Sequence, residues 1–121
     1  MHWAPYLILA VSIVLYLVLK NSRQLSLKDV QEYLKSGALV IDVRSIREFN
    51  SGHLPTAINL PLDDIETTLP RRVKDKSKVL LLHCQGGARS AAAKSKLREL
   101  GYTHAYNLGS YSHAARVLSG K

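Results

Sequence analysis

Residues 78–100, KVLLLHCQGGARSAAAKSKLREL, leave this chain few ways to fold. Residues 79–82 are a short apolar run between polar neighbours, the pattern of a strand covered on both faces. Residues 90–100 read as a helix, with Ala93, Leu97 and Leu100 on one face and Lys94, Lys96 and Arg98 mostly off it. Gly101 is placed to stop that helix. Between strand and helix stand Cys84, Gln85, Gly86, Gly87, Ala88 and Arg89, with Ser90 opening the helix. Two adjacent glycines let the backbone curl so that several N–H groups turn inward, an anion-binding nest at a helix N-terminus. A sulfur in that nest is expected to be a thiolate over much of the physiological range, favoured by the N–H dipoles and by Arg89. A lone cysteine is more often a small buried hydrophobe. Its place after an apolar strand, with glycines and a helix behind it, favours a nucleophile.

Other segments carry a resemblance. They are Val-Ile-Asp-Val-Arg at 40–44, Glu48-Phe49, Gly-His-Leu-Pro-Thr-Ala-Ile-Asn-Leu-Pro at 52–61, His-Cys-Gln-Gly-Gly-Ala-Arg-Ser at 83–90, Gly101-Tyr102, and Asn107-Leu108-Gly109. In this order they resemble the rhodanese (sulfurtransferase) family over residues 25–118. The chain departs from that pattern at Thr56, where a glycine is usual, and at Gly109-Ser110 with Tyr111, where many members have Gly-Gly and then Trp. The resemblance implies a rhodanese-like α/β domain whose mostly parallel central sheet is flanked by helices. It also implies Cys84 as catalytic nucleophile and Gln85, Gly86, Gly87, Ala88, Arg89 and Ser90 as the substrate-binding loop.

Loop length separates the chemistries open to such a domain. Tyrosine phosphatases, and the phosphatase-like and arsenate-reducing relatives within the fold, use a loop one residue longer. Here only Gln85, Gly86, Gly87 and Ala88 lie between Cys84 and Arg89. The shorter ring suits a sulfane sulfur carried on Cys84 as a persulfide. A small anionic donor such as thiosulfate would be attracted by Arg89, and a thiol or cyanide acceptor would remove the sulfur. Backbone N–H groups would stabilise the persulfide anion, while Ser90 would donate to the sulfur or cap the helix. The alternatives are a non-catalytic rhodanese-like binding module and a cysteine-based phosphatase or arsenate reductase. No His, Cys or carboxylate grouping has metal-ligand spacing, so neither a metal nor a cofactor is expected.

The chain's 121 residues allow one domain of about 100 residues plus an appendage. The single cysteine excludes an internal disulfide or a resolving pair, and a thiol that must stay reduced favours the cytosol. Net charge is +8, yet no nucleic-acid motif or aromatic-interleaved basic stripe accompanies it, so nucleic acid is not an expected partner. An anionic membrane surface accounts for the charge more simply. Residues 3–19 carry no charge and only Ser12 as a clearly polar side chain, and as a helix would be about 25 Å long. They are expected to form one transmembrane helix, giving an anchor over 1–20 and the domain over 21–121. Trp3 and Tyr6 would sit at one interface, and Lys20 and Arg23 would snorkel at the other. A cleavable signal would want a charged start and a small-residue cleavage site, and a surface helix would show a polar face. The Lys and Arg all follow Leu19, so the expected location is the inner (cytoplasmic) membrane, single-pass, with the domain facing the cytoplasm. Residues 21–25 form a short tether that keeps the domain close to the bilayer.

Along the rest of the chain, Ser26 with Asp29 opens a helix carrying Leu27, Val30 and Leu34, and Gly37 ends it. Residues 38–43 read as a strand. Arg44 and Glu48 have the spacing of a structural ion pair on a short helix, and Asp42 of a loop brace. His53, set in a turn, reads as a hydrogen-bonded structural histidine. Residues 57–60 form a short strand, 62–69 an acidic helix, 71–78 a basic run, 103–108 the last strand and 110–118 the closing helix. Alternation along the strand turns His83 away from Cys84. Strands alternating with helices give a mostly parallel sheet, with ligands at its carboxyl edge, where Cys84 falls.

Overall fold

The structure, a computed structural model, describes residues 2–22 and 25–121. Four strands, β1 (Leu39–Asp42), β2 (Ile58–Asn59), β3 (Leu80–His83) and β4 (Ala105–Gly109), form one sheet in the order β2-β1-β3-β4. Every strand pairing is parallel, running from Leu39 opposite Leu80 to Asp42 opposite His83 in the central pair. Between β3 and β4 the register slips at Leu82 and His83, which brings His83 opposite Gly109. Parallel strands need crossovers, and helices supply them.

Side-chain alternation divides the core in two. Ile41, Val43, Leu80, Leu82 and Cys84 face α4 (Ile65–Arg72) and α5 (Ala88–Glu99), where Ile65, Leu69, Ala93 and Leu97 meet them. Val40, Leu81 and Leu108 face α2 (Leu27–Lys35) and α6 (Tyr111–Leu118), meeting Val30, Ala114 and Val117. Burial on both faces is why β3 is apolar at consecutive positions, each of its leucines contributing roughly 1.5–3 kcal/mol. Ser26 caps α2 by accepting from the Asp29 N–H, and Gly101 reverses the chain after α5 with a left-handed φ of 100°. The elements differ from the sequence reading mainly at their ends. Residues 62–64 form a 3-10 turn before α4, and α4 runs past Pro70 to Arg72, taking up the start of the basic run. Pro70 is tolerated because the buried Ile65 and Leu69 hold the helix down.

Ahead of the domain, α1 spans Ala4–Ser22, and every described side chain from residue 4 to 19 is exposed. A buried core helix is therefore ruled out for this segment. Among the described residues, no helix is long and apolar enough to cross a membrane. The apolar stretch ending at Leu19 is about 24 Å long, against a hydrocarbon core of about 30 Å. The transmembrane helix expected over residues 3–19 is thus not found as a full span. The interfacial roles expected of the Lys20 side chain and of Arg23 lie outside the described residues.

Candidate active site

Cys84 leaves the end of β3 with its sulfur inside the curl of the next residues, and only 1% of the residue is exposed. The Gly87 N–H donates to Sγ over 2.9 Å, and the Ser90 hydroxyl lies 3.4 Å from it. Gly87 makes this curl as the N-cap of α5, in a left-handed conformation (φ 102°) that other residues reach only with strain. Gly86 has no such φ and open space where a Cβ would stand, so one of the two glycines does the bending. Burial pushes the Cys84 thiol up, but the Ser90 hydroxyl and the N–H groups of Ser90, Gly87 and Arg89 outweigh it and hold the thiol below its ordinary value. Arg89 joins these donors through its backbone N–H, and its guanidinium also feels the charge on Cys84.

The remaining loop residues are tied to β4 and α6. The Cys84 N–H donates to the Gly109 carbonyl and the Tyr111 N–H to the Gln85 carbonyl, while Gly86 bridges to Ser110. Ala88 is the first residue of α5. The Ser90 hydroxyl also lies 3.1 Å from the Gly87 carbonyl and 3.4 Å from that of Gly109. With one proton to give, it serves the sulfur or a carbonyl, not both at once.

Beneath the loop, on the other face of the sheet, lies a polar cluster that spacing did not reveal. Asp42 is fully buried and accepts from the Arg44 N–H, Nε and Nη2 at 2.8–3.0 Å. Arg44 reaches on to the Gly52 carbonyl, the Gln85 side chain and the face of the Tyr111 ring, 4.8 Å from its centroid. The ion pair expected between Arg44 and Glu48 does not form, because Asp42, two residues away on the same face, takes the guanidinium. Asp42 is the brace the sequence suggested, acting on the loop through Arg44. His83 does turn away from the sulfur: its ring packs edge-on to Tyr111, and Nδ1 lies 3.3 Å from the Cys84 carbonyl. Among the described residues its Nε2 finds no hydrogen-bond partner, and it stands 3.8 Å from Asp42. Burial holds His83 below its usual range, hence neutral near pH 7. These contacts follow from Asp42 and His83 being register partners, which single-sequence spacing does not carry. His53 stacks on Phe49 and its Nδ1 lies 3.1 Å from the Phe49 carbonyl, a structural role.

Glu48 instead holds Arg89, with Nη1 and Nη2 donating to Oε1 and Oε2 at 2.6 and 2.9 Å. Beside this pair opens a cleft of about 460 Å³ that takes in Arg89, Ile46, Leu62, Asp63 and Asp64. Among the described residues there is no group of His, Cys and carboxylates able to hold a metal ion.

The chain is similar to known proteins. A family model described as a rhodanese-like domain matches residues 26–113. The thiosulfate sulfurtransferase PspE of Escherichia coli (strain K12) is 38% identical over 69 residues, which are 57% of this chain and 66% of that protein. A tRNA uridine(34) hydroxylase of Hamiltonella defensa is 34% identical over 93 residues, 73% of this chain but 26% of that one. The chain thus spans just under two thirds of the former and about a quarter of the latter. Among solved structures, a rhodanese with anions from E. coli superposes with a TM-score of 0.61 at 34% identity, over 64% of this chain and 91% of that one. The human single-domain sulfurtransferase TSTD1 gives 0.64 at 29% identity, over 77% and 95%.

Proposed function

The chain belongs to the rhodanese-like domain family, and on that premise we propose that it transfers sulfane sulfur through a persulfide on Cys84. In the first step the Cys84 thiolate attacks the outer sulfur of a donor such as thiosulfate. The donor's S–S bond breaks and sulfite leaves with the bonding pair. In the second, a thiol or cyanide acceptor attacks the outer persulfide sulfur and Cys84 departs as thiolate. The observation that carries this reading is the Gly87 N–H 2.9 Å from Sγ inside a loop with four residues between Cys84 and Arg89. N–H groups aimed at the sulfur stabilise charge there in the thiolate and again in the persulfide. Gln85, Gly86, Gly87, Ala88, Arg89 and Ser90 form the binding loop. The likeness to a protein named thiosulfate sulfurtransferase supports the same chemistry. The short ring weighs against the phosphatase and arsenate reductase alternatives, and the depressed thiol against a non-catalytic module.

The test is mass spectrometry of the protein after incubation with thiosulfate. One added sulfur on Cys84, lost on addition of cyanide and absent from Cys84→Ser, is the expected result. An unmodified Cys84 after thiosulfate and after an alkyl persulfide would overturn the reading.

For α1 we propose a role as membrane anchor at the inner membrane, the domain facing the cytoplasm. Two features support it: its apolar side chains are exposed all round, and the Lys and Arg of the chain all follow Leu19. The apolar stretch of about 24 Å falls short of the hydrocarbon core, and such a shortfall is met by bilayer thinning or by snorkelling flanking side chains at fractions of a kcal/mol per Å.

A further inference from the structure

Arg89 is the one cation among the described residues that line the cleft beside the loop, and its guanidinium is held by Glu48. Both of its terminal nitrogens are engaged by one carboxylate, and that carboxylate is held from behind. Glu48 Oε1 also accepts from the Ser45 N–H (3.2 Å) and Oγ (3.0 Å), closing the capping box of α3 (Ile46–Asn50). Arg89 and these Ser45 donors keep the Glu48 carboxyl down at about 2, so it stays charged at any working pH. The same cleft carries Asp63 and Asp64. In a chain of net charge +8, the opening beside the nucleophile loop therefore sets three carboxylates against one guanidinium. A small dianion meets no uncompensated cation there.

Resting on the sulfur-transfer reading, we propose that Glu48 is a specificity-determining residue. By occupying Arg89 it withholds the loop's cation from dianionic donors such as thiosulfate and favours sulfane sulfur on low-charge carriers, the alkyl persulfides.

Glu48→Gln isolates the charge, because glutamine still offers Oε1 to the Ser45 N–H and a capping box accepts either residue. In the variant, kcat/KM for thiosulfate is expected to rise about fivefold at low ionic strength, through KM, and the gain to shrink in about 0.5 M salt. The ratio of kcat/KM for thiosulfate to that for 2-hydroxyethyl persulfide should rise with it. A second readout needs no turnover: the rate of Cys84 alkylation by anionic iodoacetate relative to neutral iodoacetamide should rise by a similar factor. Unchanged ratios, or equal changes for charged and neutral reagents, overturn the proposal and leave Glu48 a structural residue. If the alkylation ratio moves but no donor loads sulfur on Cys84 of either protein, the charge control is supported and the sulfur-transfer reading fails.

Discussion

At Cys84 two opposed effects meet, and hydrogen bonding wins over burial. The Ser90 hydroxyl stands first among the groups that favour the thiolate. Ser90→Ala should therefore move the midpoint of the Cys84 alkylation rate to higher pH and slow alkylation at pH 7 by roughly 3–10-fold. A midpoint that stays put would mean the backbone N–H groups suffice alone. The sign follows from linkage: the folded thiol titrates below its unfolded value, so the thiolate and the stability it confers are lost as pH falls through the folded midpoint. Ser90 was legible from its place after the loop. Glu48 was not, because its spacing to Arg44 offered a local partner, whereas the partner it takes lies 41 residues away. Arg44 was equally misleading, since Asp42, legible as a loop brace, does not show in sequence that it braces through Arg44.

The turn between α3 and β2 shows what a departure at one position does to an element. Thr56 stands where the family usually has glycine, and it holds a left-handed φ of 69°, costly for a β-branched side chain. Thr56→Gly should stabilise the domain by about 0.5–1 kcal/mol, the relieved strain less the greater freedom of glycine in the unfolded chain. The check is a urea midpoint that rises with an unchanged slope; a lower midpoint would show that the methyl and hydroxyl contribute more than the strain costs. Helix and strand types were readable throughout the domain from apolar periodicity. Their ends were not, since the 3-10 turn at Leu62–Asp64 and the passage of α4 through Pro70 depend on what packs beneath them. The pair of glycines in the loop pointed to the right bend, though only Gly87 makes it.

At the scale of the whole chain, the domain and α1 are separable in their packing. No described side chain from residue 4 to 19 is buried, while both cores draw only on residues from Leu25 onward. Removing residues 1–22 should leave the thermal midpoint within about 2 °C and the protein in solution without detergent. The full chain should sediment with membranes until detergent releases it, and a full chain that stays in the supernatant would remove the anchor proposal. The parallel sheet also sets a timetable for synthesis. β1 is central, yet the strand that completes it, β3, begins 41 residues later, with Leu80 opposite Leu39. At about 5–20 residues per second, a ribosome takes about 2–8 seconds to bridge that gap. Through that interval α1 is already made, because a helix needs only its own residues, whereas β1 waits for neighbours not yet translated. Whatever receives α1 does so before there is a sheet, and the nucleophile's loop is shaped last, once β4 has emerged to hold it.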